Sequence, residues 1–360
     1  HNTYDPMTLD NLTASAIQLL KDLIEIPSFS SEEDLTAARI EQWFTEHQIP
    51  FHRSQNNIWA TNEHFDASKP TLLLNSHHDT VKPNNGFTKD PFEAEVENGK
   101  LYGLGSNDAG GCLVSLIATF THFYAQKNLN YNLVLVASAE EESSGDAGLN
   151  SMLSIIPNID VAIVGEPTLM QLAVAEKGLV VFDAVVKGTP GHAAHPNNDN
   201  AIYNTIEVLQ WFKDFRFEKD SDSLGPVKMT VTQIHAGKQH NAIPAGVELV
   251  VDVRVNDQYS NKEIVEILQI EAPCDSIIPR GLKLNSSSIP VAHPLVQAGI
   301  ALGRETYGSP TLSDQSVLSC PSLKLGPGDS TRSHTADEFI YIDEIKEGVA
   351  LYIQLLTKIL

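Results

Sequence analysis

The chain has 360 residues, enough for two or three domains at about 150 residues each, and its 42% apolar and 19% charged residues exclude a disordered protein. Forty-six acidic against 24 basic side chains give a net charge of −22, which disfavours nucleic acid or anionic membranes as partners, since both need clustered Lys and Arg. No apolar run approaches the ~18 residues of a membrane span. The first ten residues (HNTYDPMTLD) lack a basic stretch followed by an apolar one, and Cys112, Cys274 and Cys320 are far apart and odd in number; the expectation is a cytoplasmic protein with reduced thiols.

In chain order, Leu9 to Glu25 reads as a helix, with Leu12, Ile17, Leu20 and Ile24 near helical spacing and Pro27 beyond its end. A second helix is expected from about Ser31, its plausible N-cap, with Leu35, Ile40 and Phe44 on one face. Four short apolar runs follow at intervals: Thr71 to Leu74, Asn132 to Ala137, Val161 to Val164, and Leu323 to Leu325. Continuous runs of this length between helical stretches predict buried parallel strands of an α/β sheet. Between about Lys177 and Asn285 the pattern changes. Strands over Leu179–Lys187, Val227–Ile234 and Val247–Val255, helices over Ala201–Asp214 and Ser260–Ile270, and a weaker strand near Leu282 give the order βαββαβ. The expectation is a catalytic domain of residues 1–176 and 286–360 into which residues 177–285 are inserted.

Each buried run leads directly into metal-ligating residue types. Thr71–Leu74 precedes Asn75-Ser76-His77-His78-Asp79, and Asn132–Ala137 precedes Glu140-Glu141-Glu142. Val161–Val164 precedes Gly165-Glu166-Pro167, and Leu323–Leu325 precedes GPGDSTRSHTADE with His334. Ligands of open α/β sheets bind at the carboxyl ends of strands. Asp108 joins the set from the glycine-rich segment Gly103–Gly111 ahead of a probable helix whose buried face is Leu113, Leu116, Ile117, Phe120 and Phe123; taken alone it reads as an N-cap. The glycine-rich segment fits neither GxxxxGK[ST] nor GxGxxG, and its acid would repel phosphate. Imidazoles and carboxylates crowded at a dry edge need a cation, and mixed N/O donors favour zinc, or cobalt or manganese.

These segments resemble the di-zinc metallopeptidase family of aminoacylases, acetylornithine deacetylases, succinyl-diaminopimelate desuccinylases and glutamate carboxypeptidases. HHDTV is similar to that family's HxDxV, GLGSNDAGG to its GxGxxD loop, EEE to its [DE]-E-E, GEPT to its G-E-P, and HTADE to its terminal HxxxE. The resemblance implies an α/β, mostly parallel-sheet zinc-hydrolase domain with an inserted ferredoxin-like lid and dimerisation domain. It implies two Zn2+ per chain, with Asp108 bridging, Glu142 and His334 completing one ion, and His77 and Glu166 the other. Glu141 would be the general base and Asp79 would orient His77. In the lid, His192 would stabilise the oxyanion, and Asn241 and Arg254 would hold substrate polar groups and carboxylate. GPG before HTADE is most like the acetylornithine deacetylase branch, so the implied partner is a small-molecule N-acyl amino acid, with N-acetyl-L-ornithine (or acetylcitrulline, or a succinylated analogue) first, in arginine biosynthesis, acted on by a homodimer. Leu104, Ala109 and Gly110 replace the family's usual Arg, Met and Lys, and Ser76 its usual Gly, which bears on the acyl group recognised and removes no ligand.

Plainer readings apply to other residues. His78 points away from the site by strand alternation, Glu140 is a solvated or helix-end carboxylate, and His195, His235, His240 and His293 are loop or surface residues. Arg254 could form a structural salt bridge instead of anchoring an anion. Serine catalysis lacks a GxSxG elbow, and no cysteine follows a strand as the ligands do. The alternatives are a succinyl-diaminopimelate desuccinylase, a metal-dependent dipeptidase or carboxypeptidase, and an inactive small-molecule-binding protein, which would have lost a ligand or Glu141.

Overall fold

The computed structural model describes residues 8–360; the first seven, part of the segment read above for targeting features, lie outside them. Helix Leu9–Ile24 starts where the Thr8 hydroxyl accepts from the Asn11 N–H at 3.2 Å and buries Leu12, Ala16, Ile17, Leu20 and Ile24. The second helix is Asp34–Glu46 and starts three residues later than expected. Ser31 is no cap: it has a positive φ of 76°, and its hydroxyl donates to Glu140 Oε1 at 2.9 Å. The buried face of this helix is Thr36, Ala37, Ile40, Trp43 and Phe44, while Leu35 is 68% exposed.

The chain forms two compact units. The first runs to Val174 and includes Ile289–Tyr307 and Ser313–Leu360; the second is Ala175–Ser288 with Gly308–Leu312. Compared with the expected insertion 177–285, the second unit gains a few residues at either end and the short return segment. In the first unit, strands Asn132–Ser138, Thr71–His77, Val161–Val164 and Ser322–Lys324 lie side by side and parallel. Asn57–Thr61 and, beyond it, His52–Ser54 extend one margin antiparallel, and Leu172–Glu176 meets Ser322–Lys324 antiparallel at the other. The four parallel strands are buried throughout because both faces are covered. On one face Leu72, Leu74, Leu133 and Leu135 join the core formed with helices Leu9–Ile24, Gly111–Phe123 and Ile342–Thr357. On the other, Leu73, Val134, Val136 and Ala162 pack with Leu149 and Met152. Fully burying one such side chain contributes ~1.5–3 kcal/mol. Helix Gly111–Phe123 is buried nearly all round, beyond the single face expected for it.

The second unit is a four-stranded antiparallel sheet in the order Lys228–His235, Gly246–Val255, Gly178–Lys187, Ser276–Pro279. Its core comes from alternate residues, Val180, Phe182, Ala184 and Val186 on one strand and Val247, Leu249, Val251 and Val253 on its neighbour, under helices Ala201–Asp214 and Asn261–Glu271. This is the ferredoxin-like βαββαβ arrangement. The last strand lies at Ser276–Pro279 instead of near Leu282, which sits in a bend where its carbonyl accepts from Asn261 Nδ2 at 3.2 Å.

Candidate active site

The four parallel strands end at one edge of the first unit, and five ligand-type side chains leave from those ends. His77 is the last residue of its strand, Glu141 and Glu142 occupy the turn after Ser138, Glu166 follows Val164, and His334 lies in the segment after Lys324. Asp108 arrives separately, in a short irregular turn ahead of helix Gly111–Phe123, with a cis Asp108–Ala109 peptide. It caps no helix: the residue before Gly111–Phe123 is Gly110, and Asp108 has non-helical angles. Gly105, at φ 81°, lets this turn approach the sheet, since a Cβ there would meet Thr80 at 2.6 Å.

Asp108 faces both imidazoles, with Oδ1 3.2 Å from His77 Nε2 and Oδ2 3.2 Å from His334 Nε2. His334 Nε2 is also 3.0 Å from Glu142 Oε2. His77 Nε2 lies 3.3 Å from Glu141 Oε2, 3.3 Å from Glu166 Oε1 and 4.0 Å from Glu142 Oε1. Two triplets, His77–Asp108–Glu142 and His77–Glu141–Glu166, have ligand atoms all within 4.8 Å of one another. Asp79 accepts from the Glu141 and Glu142 N–H groups at 3.1 and 3.0 Å, while its Oδ1 is 3.2 Å from His77 Nδ1. One carboxylate thus fixes both the His77 ring and the turn carrying the two glutamates. Ser76 donates to the Gly165 carbonyl at 2.7 Å, tying the His77 strand to the Glu166 turn.

Burial, and then neighbouring carboxylates, push Glu141 well up, and burial lifts Glu166 to about 7 despite His77 nearby. Burial opposes the charge on His77, yet Glu141 and Glu166 hold its pKa well above the usual imidazole range, and hydrogen bonds to Asp108 and Glu142 raise His334 to about 10. Buried carboxylates competing for protons while imidazoles are drawn positive describe a nest of N and O donors that fits divalent cations.

His78 is structural, as its alternation implied: Nε2 donates to the Asn56 carbonyl at 2.7 Å, Nδ1 pairs with Thr36 at 2.8 Å, and burial lowers its pKa to about 4. Glu140 turns away to Ser31, and His293 caps helix Pro294–Ala301 by accepting from Leu295 N–H. The remaining expected site residues belong to the second unit. His192, on the two-residue strand Gly191–His192, pairs with Ala242, and Asn241 accepts from the Ala193 N–H at 2.9 Å, so these two share one ribbon. Arg254 is not with them. It lies near the far end of strand Gly246–Val255, roughly 27 Å along from Gly246 at ~3.4 Å per residue, and its guanidinium bonds Asp252 at 2.8 and 3.1 Å.

Two contributors were given no role from the sequence. Glu338, buried, accepts from the N–H groups of Gly105, Asn107 and Asp108 at 3.0, 2.9 and 2.8 Å, so one carboxylate shapes the turn that presents Asp108. Asp314 accepts from Ser138 at 2.6 Å, and its charge adds to the rise of Glu141. The final Glu of HTADE hinted at Glu338; nothing marked Asp314.

Fold and donor set together define the class, a metal-dependent hydrolase. The sequence profile described as Peptidase family M20/M25/M40 matches residues 73–358, and the chain belongs to that family. Among curated relatives, an acetylornithine deacetylase of Shigella sonnei is 27% identical over 94% of this chain and 96% of its own length. A succinyl-diaminopimelate desuccinylase of Wolbachia pipientis subsp. Culex pipiens is 26% identical over 93% and 91%. Of solved structures, the YXEP protein of Bacillus subtilis, described as a dinuclear metal binding peptidase of the M20 family, superposes with a TM-score of 0.72 at 17% identity, covering 97% of this chain and 98% of that one. Aminopeptidase PepT of Bacillus cereus does so with a TM-score of 0.74 at 14% identity, covering 96% and 98%.

Proposed function

We propose that this enzyme removes a small acyl group from an N-acyl amino acid, with N-acetyl-L-ornithine the first candidate and cytoplasmic arginine biosynthesis its setting. The observation that carries the reading is the complete ligand set with Glu141 beside it, 3.3 Å from His77. The acetylornithine deacetylase names among its relatives supply the substrate class. The reduced setting rests on the three unpaired cysteines.

His77 and Glu166 would hold one Zn2+, Glu142 and His334 the other, and Asp108 would serve both through its two oxygens; Co2+ or Mn2+ could substitute. Such ions polarise a carbonyl and lower the pKa of water toward ~7. Glu141 takes the proton from the attacking water and passes it to the leaving amine. Asp79 keeps His77 in register. In the second unit, His192 Nδ1 accepts from Ala194 N–H at 3.1 Å, which leaves its proton on Nε2, the tautomer that can donate to a developing oxyanion. Asn241 would meet substrate polar groups, and Arg254 would have to leave Asp252 to meet a carboxylate. A homodimer through the second unit is supported by the edge strand Lys228–His235, whose outer side pairs with no strand among the described residues, and by exposed Ile202, Tyr203, Ile206 and Ile234.

The second reading, succinyl-diaminopimelate desuccinylation, is favoured by the near-equal identity of that relative. Amine release from N-acetylornithine, N-acetylcitrulline, their N-succinyl counterparts and N-succinyl-diaminopimelate by zinc-reconstituted protein, with metal counted per chain, separates the two. Preference for an acetylated substrate with two metals supports the first reading. Preference for succinyl-diaminopimelate replaces it with the second, and two metals with turnover of dipeptides alone would sink both.

A further inference from the structure

The second unit contains a cavity of about 570 Å³ where the C-terminal end of helix Ala201–Asp214 and the following segment meet the first residues of strand Lys228–His235. Its apolar wall includes Phe212, Phe215 and Phe217, with Met229 and Val231 from the strand. Its polar lining is of one sign: Lys177, Lys213, Arg216 and Lys228 line it and no acidic residue does. In a chain with 46 acids against 24 bases, four cations and no acid at one cavity is the reverse of the global balance. None of the four has a carboxylate partner among the described residues. Arg216 is nonetheless held in place, because Nη1 donates to the carbonyls of Lys213 and Phe215 at 3.0 and 2.9 Å, leaving its remaining N–H donors for a ligand.

We propose that this cavity binds a small organic acid, an aromatic or branched apolar body carrying a carboxylate, independently of the metal site. The volume falls in the range of small-molecule sites, ~300–1,000 Å³. Phenyl rings and Met229 accept the apolar body. The Arg216 fork matches a carboxylate in two-point geometry, and the three lysines add charge that no protein group neutralises. Charge complementarity decides the occupant: an anionic head meets four cations with no acid in the lining, whereas a cationic molecule would add to their repulsion.

The experiment uses the full-length protein and the aromatic sulfonate 8-anilinonaphthalene-1-sulfonate, an apolar body with one anionic head. Trp211 is stacked on Phe215, with ring centroids 4.6 Å apart, so energy transfer from Trp211 reports occupancy of this cavity. The expected result is saturable binding of one probe per chain, competed by dodecanoate and not by dodecyltrimethylammonium. Transfer should fall in Trp211→Phe. The dissociation constant should rise roughly tenfold or more in Lys213→Glu/Arg216→Glu, both exposed positions, with the melting temperature checked in parallel. If that variant unfolds, Lys228→Gln in the otherwise native chain reads the same loss on a smaller scale. Equal competition by the cationic detergent, or unchanged affinity after charge reversal, would reduce the cavity to an apolar fissure and overturn the proposal. Binding that appears only on dilution to monomers would assign the cavity to a second copy of the chain and overturn it equally.

Discussion

Glu141 and Glu142 are adjacent in sequence, and both have their backbone N–H groups held by Asp79, yet the two carboxylates divide their neighbours. Glu142 meets His334 at 3.0 Å, whereas Glu141 approaches His77 and Glu166 and takes its largest upward push from burial. Glu141→Gln keeps the shape and removes the proposed base. Metal content by elemental analysis should stay at the wild-type value while kcat falls ~10²–10⁴-fold; a variant retaining near-native kcat would assign the base elsewhere. Glu338 invites a different test, because it touches no ligand atom and holds three N–H donors of the Asp108 turn. Glu338→Ala leaves buried donors unpaired and should cost about 3 kcal/mol or more in urea unfolding. It should also speed metal loss to a chelator, with Glu338→Gln intermediate because an amide oxygen can still accept from part of the turn. The candidate ligands were legible because all but Asp108 follow a buried run, and Asp108 stands in a glycine-rich segment similar to the family's GxGxxD loop. Glu338 was visible only as the last residue of HTADE, and its role was silent because its partners are backbone groups of a segment more than 200 positions away, which no local pattern encodes.

At the scale of elements, legibility followed burial. The four parallel strands are apolar on both faces and read directly from composition, with differences of a few residues at their ends. The short strands did not read: His52–Ser54 at the sheet margin, and Glu95–Glu97 and Lys100–Tyr102 in a separate three-stranded sheet, have three residues each and too few inward positions to show a period. The helix starts that read to within a residue, Leu9, Ala201 and Asn261, each have a side-chain cap, whereas Pro294–Ala301, capped by His293, did not read. Asn261–Glu271 begins at Ser260, whose hydroxyl accepts from Glu263 N–H at 3.1 Å while the Glu263 carboxylate accepts from Ser260 N–H at 3.1 Å, a reciprocal pair. Asp34–Glu46 has no such cap, since Glu33 precedes it without a side-chain bond, and the nearby serine drew the expected start three residues too early. Ser260→Ala should therefore lower the stability of the second unit by about 1 kcal/mol, measured by chemical unfolding, with metal content unchanged. An unchanged midpoint would show that packing of Ile264 and Leu268 alone sets that helix.

At the scale of the molecule, the chain leaves the first unit near Val174 and re-enters it at Ile289. The second unit is nearly continuous in sequence and has its own apolar core, so a fragment of residues 175–288 should unfold cooperatively by circular dichroism, although it lacks Gly308–Leu312. A broad, non-cooperative melt would show that the inserted unit depends on the rest of the chain. The first unit has the opposite character. His77, Asp108, Glu141, Glu142 and Glu166 all precede the insertion, while His334, Glu338 and helix Ile342–Thr357 follow it. Synthesis is vectorial, so the ribosome delivers an acid-rich half-site first, then the second unit, and only after it the imidazole facing Asp108, the carboxylate that shapes its turn, and the helix whose Tyr352 donates to the Leu325 carbonyl. A nascent chain that has passed Leu312 and not yet reached His334 can carry a complete second unit while the imidazole that faces Asp108 is still missing, which makes the inserted unit the earlier of the two to be finished.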